Sequence, residues 1–344
     1  MSEMEDIMEI KSHGLEIQSA ILHVIDGRRH QICLSERTLD LEDPMIEKYV
    51  SRYVTRCEND MRARKGEFLK GSEFEKLLEE YFAHEKNLAQ FSAEALSEII
   101  SYFEDEEPRS FEILVVDFRD DDVPYIAVVF LEEQETMTYL SDVREGRVFN
   151  TISFNHSSLP SFTKPLSAFA LINLLNHEIS MVDEGKWKDD RRLISDTLLR
   201  SKEGISHKEV INTVKEIALE VAEEFDENPA VILSKVKNHI SESVNEGMAF
   251  KPQTLVSEVF EDEPEMAEVF IRKAQQKELP QEVELPKRSV TASMKKQKIV
   301  TDTGIEISFP GSLAEDREKI AFLSHDDGTI TIEIRGVRSF DTKN

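Results

Sequence analysis

Five basic side chains stand close together near the C-terminus, in a segment that contains no acidic residue. The segment is KRSVTASMKKQK, residues 287–298, and its basic residues are Lys287, Arg288, Lys295, Lys296 and Lys298. Lysine and arginine bind phosphate oxygens without reading the base sequence. Because nothing within the segment neutralises these charges, we expect it to be the principal phosphate contact of the protein. The alternative is a solvated surface segment.

Two further groups of basic residues are candidates for the same chemistry. Lys48, Arg52 and Arg56 are spaced four residues apart in a predicted helix, so they share one helix face. Arg191 and Arg192 form the other group. Acidic residues lie near both groups in the sequence, so the alternative is a pair of ordinary solvated faces. The groups are extended by Arg62, Arg64 and Lys65 and by Arg200 and Lys202, respectively.

A third pattern consists of carboxylates at both ends of a predicted strand. Asp117 and Asp120–Asp122 precede the apolar run YIAVVFL, and Glu132-Glu133 follow it. Carboxylates around a strand, with a lysine beside them, can bind Mg²⁺ and activate water in DNA-cleaving enzymes. The lysine position is Gln134 or Glu135 here, and neither carries a positive charge. We therefore predict a charged hairpin rim without a catalytic metal; a metal-dependent nuclease is the alternative.

The motifs of common enzyme classes do not occur in the sequence. There is no GxxxxGK[ST] loop, no strand-linked GxGxxG, no CxxC, no HExxH and no GxSxG. The nine histidines are scattered, and His84 and His177, each followed by a glutamate, are interpreted as structural or surface residues. We therefore expect a protein without catalytic residues, cofactor or metal.

The balance of charge is strongly acidic. The chain of 344 residues has 42 basic and 69 acidic side chains, a formal net charge of −27 at pH 7. Such a surface repels nucleic acid at long range, so DNA binding would depend on local basic patches and on salt concentration. The same charge supports a second hypothesis, in which the protein does not contact DNA directly and instead binds basic proteins or DNA-processing enzymes through its acidic surface.

The two cysteines and the chain ends indicate the compartment. Cys33 and Cys57 are too few for a disulfide framework, which indicates a reducing interior, and both lie in apolar patterns typical of small core residues. The N-terminus lacks the features of a signal peptide, and no run approaches about 18 apolar residues. We predict a cytoplasmic protein without a membrane span.

The first hundred residues combine a hairpin with helices. Asp26-Gly27 lies between two β-prone runs and predicts a hairpin turn. Asp43 and Pro44 predict the start of a helix that carries the Lys48 group. A second helical stretch covers about 73–103, with a polar break around 87–90.

The period then changes to that of strands. Residues 111–118, 125–131, 135–140 and 147–154 are rich in β-branched and aromatic side chains and are separated by short turns, which predicts an antiparallel meander. Residues 168–175 and 177–183 are candidates for two more strands.

The remainder reads as helices followed by strands. Residues 190–278 have helical periodicity, and the runs KIAFLS and TITIEIR near the C-terminus predict a hairpin. The fold class is therefore α+β: an N-terminal antiparallel sheet with flanking helices, a helical middle region and a small C-terminal β element. We predict domains at 1–183, 184–279 and 280–344.

These pieces, in this order, resemble the bacterial nucleoid-associated protein family of the NdpA type. The resemblance rests on IQSAILHVID followed by LSERTLDLEDPMIEKYVSRYVTR, on the strands at 111–154, and on FPGSLAEDREKIAFLSHDDGTITIEIRGV. Many members of that family carry a basic Lys-Gly-Arg stretch where the sheet gives way to helices. This chain has KWKDDRRLISDTLLRSKEG there, so it resembles a divergent branch.

The resemblance implies association with the nucleoid and binding of DNA without strong sequence preference, and it implies no settled enzymatic activity. We therefore predict a non-enzymatic protein that binds double-stranded DNA, with DNA-processing or other nucleoid proteins as further candidate partners of its acidic surface. Within this hypothesis a homodimer would present each basic patch twice and so raise the avidity of weak contacts. The alternative remains an acidic interaction factor that reaches the nucleoid through other proteins.

Overall fold

The chain forms two compact units, which are described separately. The sheet unit consists of Met1–Glu58 and Ala63–Gly204, and the helical unit consists of Asn59–Arg62 and Ile205–Asn344. The structure is a computed structural model, and it describes residues 14–27, 29–104, 110–132, 134–144, 146–184, 190–261, 263–286, 289–290, 296–300, 303–310, 313, 318–325 and 329–339.

An eight-stranded sheet is the centre of the sheet unit. Its strand order is β10-β3-β9-β8-β5-β4-β1-β2, and every pair with a defined register is antiparallel. Two other strands, β6 and β7, pair only with each other among the described strands. The strands are β1 (Glu16–Asp26), β2 (Gln31–Cys33), β3 (Arg64–Phe68), β4 (Phe111–Asp120), β5 (Val123–Glu132), β6 (Gln134–Arg144), β7 (Arg147–Ser158), β8 (Ala168–Asn173), β9 (Ile179–Asp183) and β10 (Ser201–Ser206).

Helices cover both faces of this sheet. They are α1 (Pro44–Glu58), α2 (Glu73–Phe82), α3 (Leu88–Ala95) and α4 (Ser97–Glu104), with a π-helix at Leu193–Leu198. Side chains alternate along a strand. On β4, Ile113 and Val115 pack into the core formed with α2, α3 and α4, whereas Leu114 and Val116 pack into the core formed with α1. Burial on both sides explains why β4 and β5 are apolar runs rather than alternating ones.

The predicted start and break of the helices are confirmed. Helix α1 begins at Pro44, and the backbone N–H of Met45 donates to Asp43 Oδ1 at 2.8 Å. The break in the second helical stretch falls between α2 and α3, where Asn87 and Gln90 form a capping box.

The predicted turn at Asp26-Gly27 is also confirmed as a hairpin, but it is longer than a two-residue turn. Asp26 pairs with Gln31, so four residues form the loop. The Asp26 carboxylate accepts from the backbone N–H of Arg29 at 3.1 Å, and His30 has a positive φ of 51°. The short strand β2 is the outer edge of the sheet and leaves Cys33 exposed, so only Cys57 is the core residue that was predicted.

The predicted meander at 111–154 is confirmed for the antiparallel pairs β4–β5 and β6–β7 and wrong for the pairing of β5 with β6. Strands β4 and β5 are neighbours, with Asp120 opposite Val123. Strand β5, however, pairs next with β8 rather than with β6, and β6 and β7 form a ribbon of their own. The two candidate strands after residue 167 are confirmed as β8 and β9, and β8 occupies the place that the meander assigned to β6.

The predicted helical periodicity over 190–278 is wrong at its start. Residues 193–198 form a π-helix, and residues 201–206 form β10, the edge strand of the sheet. The sequence of β10, SKEGIS, lacks alternation because an edge strand of this length buries only its end residues, Ser201 and Ser206.

Helices and two small hairpins make up the helical unit. The helices are α5 (His207–Glu224), α6 (Pro229–Asn245), α7 (Pro252–Val259) and α8 (Pro264–Gln276), and they share one apolar core. The strands are β11 (Lys296–Val300), β12 (Glu306–Pro310), β13 (Ile320–Ser324) and β14 (Ile330–Ile334), in antiparallel pairs.

The α+β fold class is thus confirmed. The three-domain division stays a prediction, because compact packing does not establish that a segment folds alone.

Candidate nucleic-acid interface

Two of the three basic residues on α1 are exposed. Lys48 and Arg52 are open to solvent, whereas Arg56 is half-buried. Neither Lys48 nor Arg52 forms an ion pair with another residue of the described chain. The predicted stripe therefore exists on the helix, and its first two members present uncompensated positive charge.

An aromatic cluster holds this stripe in place. The ring centroid of Phe162 lies 5.2 Å from that of Tyr49 and 4.9 Å from that of Tyr53. The guanidinium carbon of Arg52 lies 4.0 Å from the centroid of the Phe162 ring, a cation–π geometry. Stacking through one face leaves the edge of the guanidinium, with its N–H donors, available to an oxygen ligand. Arg52 is thus oriented without its donors being consumed.

Arg56 differs because the protein itself uses one of its donors, Nη2, while Nη1 is buried without a hydrogen-bond partner in the part of the chain that the structure describes. Its Nη2 donates to the backbone oxygen of Lys164 at 2.5 Å, and its guanidinium carbon lies 5.5 Å from the Tyr53 ring. Tyr53 in turn donates its hydroxyl to the Pro160 oxygen at 2.9 Å. Arg56 and Tyr53 therefore attach the 160–164 loop, which carries Phe162, to the helix. Arg56 is placed to position the patch rather than to contact a ligand.

The second predicted group, Arg191 and Arg192, is engaged with acidic side chains. Arg192 Nη1 donates to both carboxylate oxygens of Glu203, at 2.7 and 2.5 Å. Arg191 lies 4.0 Å from a carboxylate oxygen of Glu98 and points Nη2 at the Asp196 backbone oxygen, 3.4 Å away. These pairs are partly exposed and would have to open before either arginine could bind a phosphate.

Two of the residues that extend these groups, Lys65 and Lys202, lie on neighbouring strands. Lys65 lies on β3 and Lys202 on β10, and both line a cleft of about 650 Å³. The close approach needs glycine, since a Cβ on Gly66 would lie 2.9 Å from the Lys202 backbone oxygen. Lys65 forms an ion pair with Glu178. The lining includes four glutamates, so this cleft is not a favourable phosphate site: Glu67, Glu75, Glu178 and Glu203.

The C-terminal basic segment is only partly within the described chain. Lys287, Arg288 and Lys295 lie outside the described residues. Lys296 and Lys298 belong to the backbone of β11, where they pair with Pro310 and Ser308 of β12. Their role as phosphate contacts therefore stays a prediction.

The carboxylates considered above as metal ligands, Asp117 and Asp120–Asp122 on one side and Glu132 on the other, lie towards opposite ends of the β4–β5 pair. Asp120 and Val123 are paired at the β4–β5 turn, and Glu132 pairs with Phe111 at the opposite end. Nine residues of extended chain span about 30 Å. One metal ion cannot be ligated from both ends. The described part of the chain contains no group of three or more His, Cys, Asp or Glu arranged to hold a metal.

Acidic groups at the turn end nevertheless have unusual proton affinities. Burial, reinforced by the negative charge of Asp120, raises the pKa of Glu58 to about 8. Burial also raises the pKa of Asp117, although Asp117 Oδ2 accepts the Tyr81 hydroxyl at 2.5 Å. Glu58 is therefore largely neutral at pH 7, and the C-terminal end of α1 is less acidic than its sequence suggests.

His23 is a buried polar residue that the sequence analysis missed. The Ser35 backbone N–H donates to its Nδ1 at 3.0 Å, so the proton resides on Nε2, which donates to Ser92 Oγ at 2.8 Å. Burial lowers the pKa of His23, in keeping with this neutral tautomer. The period of β1 could have revealed it, because His23 shares a face with the buried Ile21 and Ile25.

The comparisons with known proteins rest on the whole chain rather than on these residues. No helix in the described ranges is both long enough and apolar enough to cross a bilayer. No curated protein matches the sequence. The family model described as nucleoid-associated protein YejK matches residues 21–340, nearly the entire length and both units. The chain therefore belongs to the nucleoid-associated protein YejK family.

Proposed function

We propose that this protein binds double-stranded DNA in the nucleoid, without enzymatic activity and with little sequence preference. The observation that carries the proposal is the patch on α1, where Lys48 and Arg52 are exposed and unpaired within the described chain. Several other basic side chains, among them Lys86, Arg192 and Lys273, are engaged by acids, whereas Lys48 and Arg52 keep positive charge that no carboxylate among the described residues neutralises.

The 287–298 segment is the second proposed contact, on the strength of its composition. Its five basic residues have no acidic neighbour within the segment. Both proposed contacts, the α1 patch and the 287–298 segment, would bind phosphate oxygens and not the bases. The affinity would therefore vary little between duplex sequences.

The test is a salt titration of binding by the full chain to two labelled duplexes of unrelated sequence. Each neutralised phosphate contributes about −0.9 to the log–log slope. Lys48→Gln with Arg52→Gln should reduce the magnitude of the slope by up to about 1.8, equally on both duplexes. Replacing all five basic residues of 287–298 with glutamine should reduce it by up to about 4.5.

The matched control is Lys273→Gln with Lys277→Gln. The Nζ atoms of these lysines lie 2.9 and 2.8 Å from the Glu220 carboxylate. Because both are already paired with an acid, their replacement should leave the slope unchanged. A wild-type protein that binds neither duplex at low salt contradicts the proposal. That result would favour the second candidate, an acidic interaction factor, which the net charge of −27 and the glutamate-lined cleft support.

A further inference from the structure

The ribbon formed by β6 and β7 has one mainly polar face and one mainly apolar face. Met137 pairs with Phe154, Tyr139 with Ile152, Ser141 with Asn150 and Val143 with Val148, and alternation places these four rungs on the same face. The intervening rungs on the other face are mainly Thr, Ser, Asn, Asp and Arg, with Leu140 and Phe149 as its two large apolar residues.

The apolar face is open to solvent. Its six apolar side chains are between 56 and 78 % exposed: Met137, Tyr139, Val143, Val148, Ile152 and Phe154. A two-stranded ribbon is marginally stable alone in water, and a group of large apolar side chains exposed on one face commonly marks an interaction site. We propose that this face is a self-association surface, and that it packs against the same face of a second copy of the chain.

Charge favours a second copy over a charged partner. The four rungs of the apolar face carry no ionisable side chain except the Tyr139 phenol, whereas the chain as a whole has a net charge of −27. Two copies repel each other over most of their surface, so a neutral face is where they can approach. A basic or acidic partner would gain no electrostatic attraction there.

The order of the rungs makes the face complementary to itself. When two copies stack with strands reversed about a two-fold axis, the Met137–Phe154 rung lies over the small Val143–Val148 rung. The Tyr139–Ile152 rung then lies over the polar Ser141–Asn150 rung, where Ser141 Oγ donates to Asn150 Oδ1 at 2.7 Å. Large side chains thus oppose small ones, and the Tyr139 hydroxyl reaches polar atoms, as buried tyrosines require.

The area is adequate for a specific dimer. Burying six such side chains on each copy would remove on the order of 1,000–2,000 Å² of surface from water, which is the range of stable interfaces. A two-fold contact that uses one patch on both subunits is the commonest way to close an oligomer. This inference stands apart from DNA binding, since none of the proposed phosphate contacts lies on the ribbon.

The experiment measures the mass of the full chain by sedimentation equilibrium. The wild type should be a dimer, and Tyr139→Lys with Ile152→Lys should halve the mass. Thr138→Lys with Thr151→Lys, which adds the same charge to the opposite face, should remain a dimer. If the lysine pair unfolds the ribbon, Tyr139→Thr with Ile152→Thr removes the apolar groups while keeping strand propensity, and circular dichroism checks the fold.

Two results would overturn the proposal. One is a wild type that is monomeric at every concentration reached, whether or not it sediments with lipid vesicles. The other is a folded Tyr139 and Ile152 double variant, of either type, that keeps the mass of the dimer.

Discussion

His23 joins three parts of the sheet unit through its two ring nitrogens. Nδ1 accepts from the Ser35 backbone, and Nε2 donates to Ser92, whose own hydroxyl lies 3.3 Å from the Ala89 oxygen. Each ring nitrogen thus has one partner, and the imidazole is satisfied only in its neutral form. The residue therefore sets both the local packing and a dependence of stability on pH.

We expect His23→Leu to lower the free energy of unfolding by about 1–3 kcal/mol, because it leaves the partly buried Ser35 N–H without its acceptor and removes the donor to the Ser92 hydroxyl. Ser92→Ala removes only the Nε2 partner and should cost less. Denaturant unfolding of both variants measures the difference. Equal stability of wild type and His23→Leu would show that the hydrogen bonds contribute nothing net.

Glu58 gives the stability a second dependence on pH. Its sign is opposite to that of His23, whose lowered pKa makes the folded state more stable as the pH rises. The pKa of Glu58 rises from the ordinary 4.5 to about 8 in the folded state, so the folded protein holds the proton more tightly than the unfolded chain does. Stability should therefore fall as the pH rises from about 5 to about 8. Allowing for solvent screening of a partly exposed group, the loss is on the order of 2 kcal/mol.

The substitution that tests this is Glu58→Gln, which cannot ionise. It should flatten the fall in thermal stability between pH 5 and 8 and should stabilise the protein at pH 8. Glu42→Gln, on an exposed side chain, is the control and should keep the wild-type profile. A Glu58→Gln profile identical to that of the wild type would mean that the carboxyl titrates normally.

At the scale of elements, the π-helix is held by one carboxylate. Asp183 Oδ2 accepts from the backbone N–H groups of Ile194 and Ser195, both at 2.8 Å, and from the Ser195 hydroxyl at 3.2 Å. Asp183 ends β9, so these bonds fix the first turn of the helix to the sheet. A carboxylate at a helix N-terminus also interacts favourably with the helix dipole.

Asp183→Ala should therefore destabilise the protein by about 1–3 kcal/mol, since the cap and its charge are both lost. Asp183→Asn retains an acceptor oxygen and should cost clearly less. Thermal unfolding compares the two variants directly. Should the asparagine variant lose as much stability as the alanine variant, the charge rather than the hydrogen bonds would be responsible.

Elements with strong local signals were predictable from the sequence, and the others were not. The Asp43-Pro44 start of α1 and the Asn87 cap of α3 are encoded within a few residues. The partner of β5 is not, because β6 and β8 are both suitable strands and only packing selects β8. Likewise, the positions of Lys48 and Arg52 followed from helical spacing, whereas the Phe162 ring that orients Arg52 lies more than a hundred residues away.

At the scale of the whole molecule, dimerisation and DNA binding should reinforce each other. A dimer presents the Lys48–Arg52 patch twice, and the second contact to one duplex forms at a high effective concentration. Tyr139→Thr with Ile152→Thr, which adds no charge, should therefore weaken DNA binding and reduce the magnitude of the salt slope by about half. An unchanged affinity and slope in a folded monomeric variant would show that one copy suffices.

The two cysteines differ in accessibility, and this difference allows the rate at which helix α1 detaches from the sheet to be measured. Cys33 is exposed on the edge strand, whereas Cys57 is buried on α1. A maleimide should consume Cys33 at once and reach Cys57 only when α1 detaches from the sheet. The slow phase of thiol labelling therefore reports how often the helix opens. If bound DNA suppresses the slow phase, the DNA stabilises α1 against detachment from the sheet. This comparison needs no mutation.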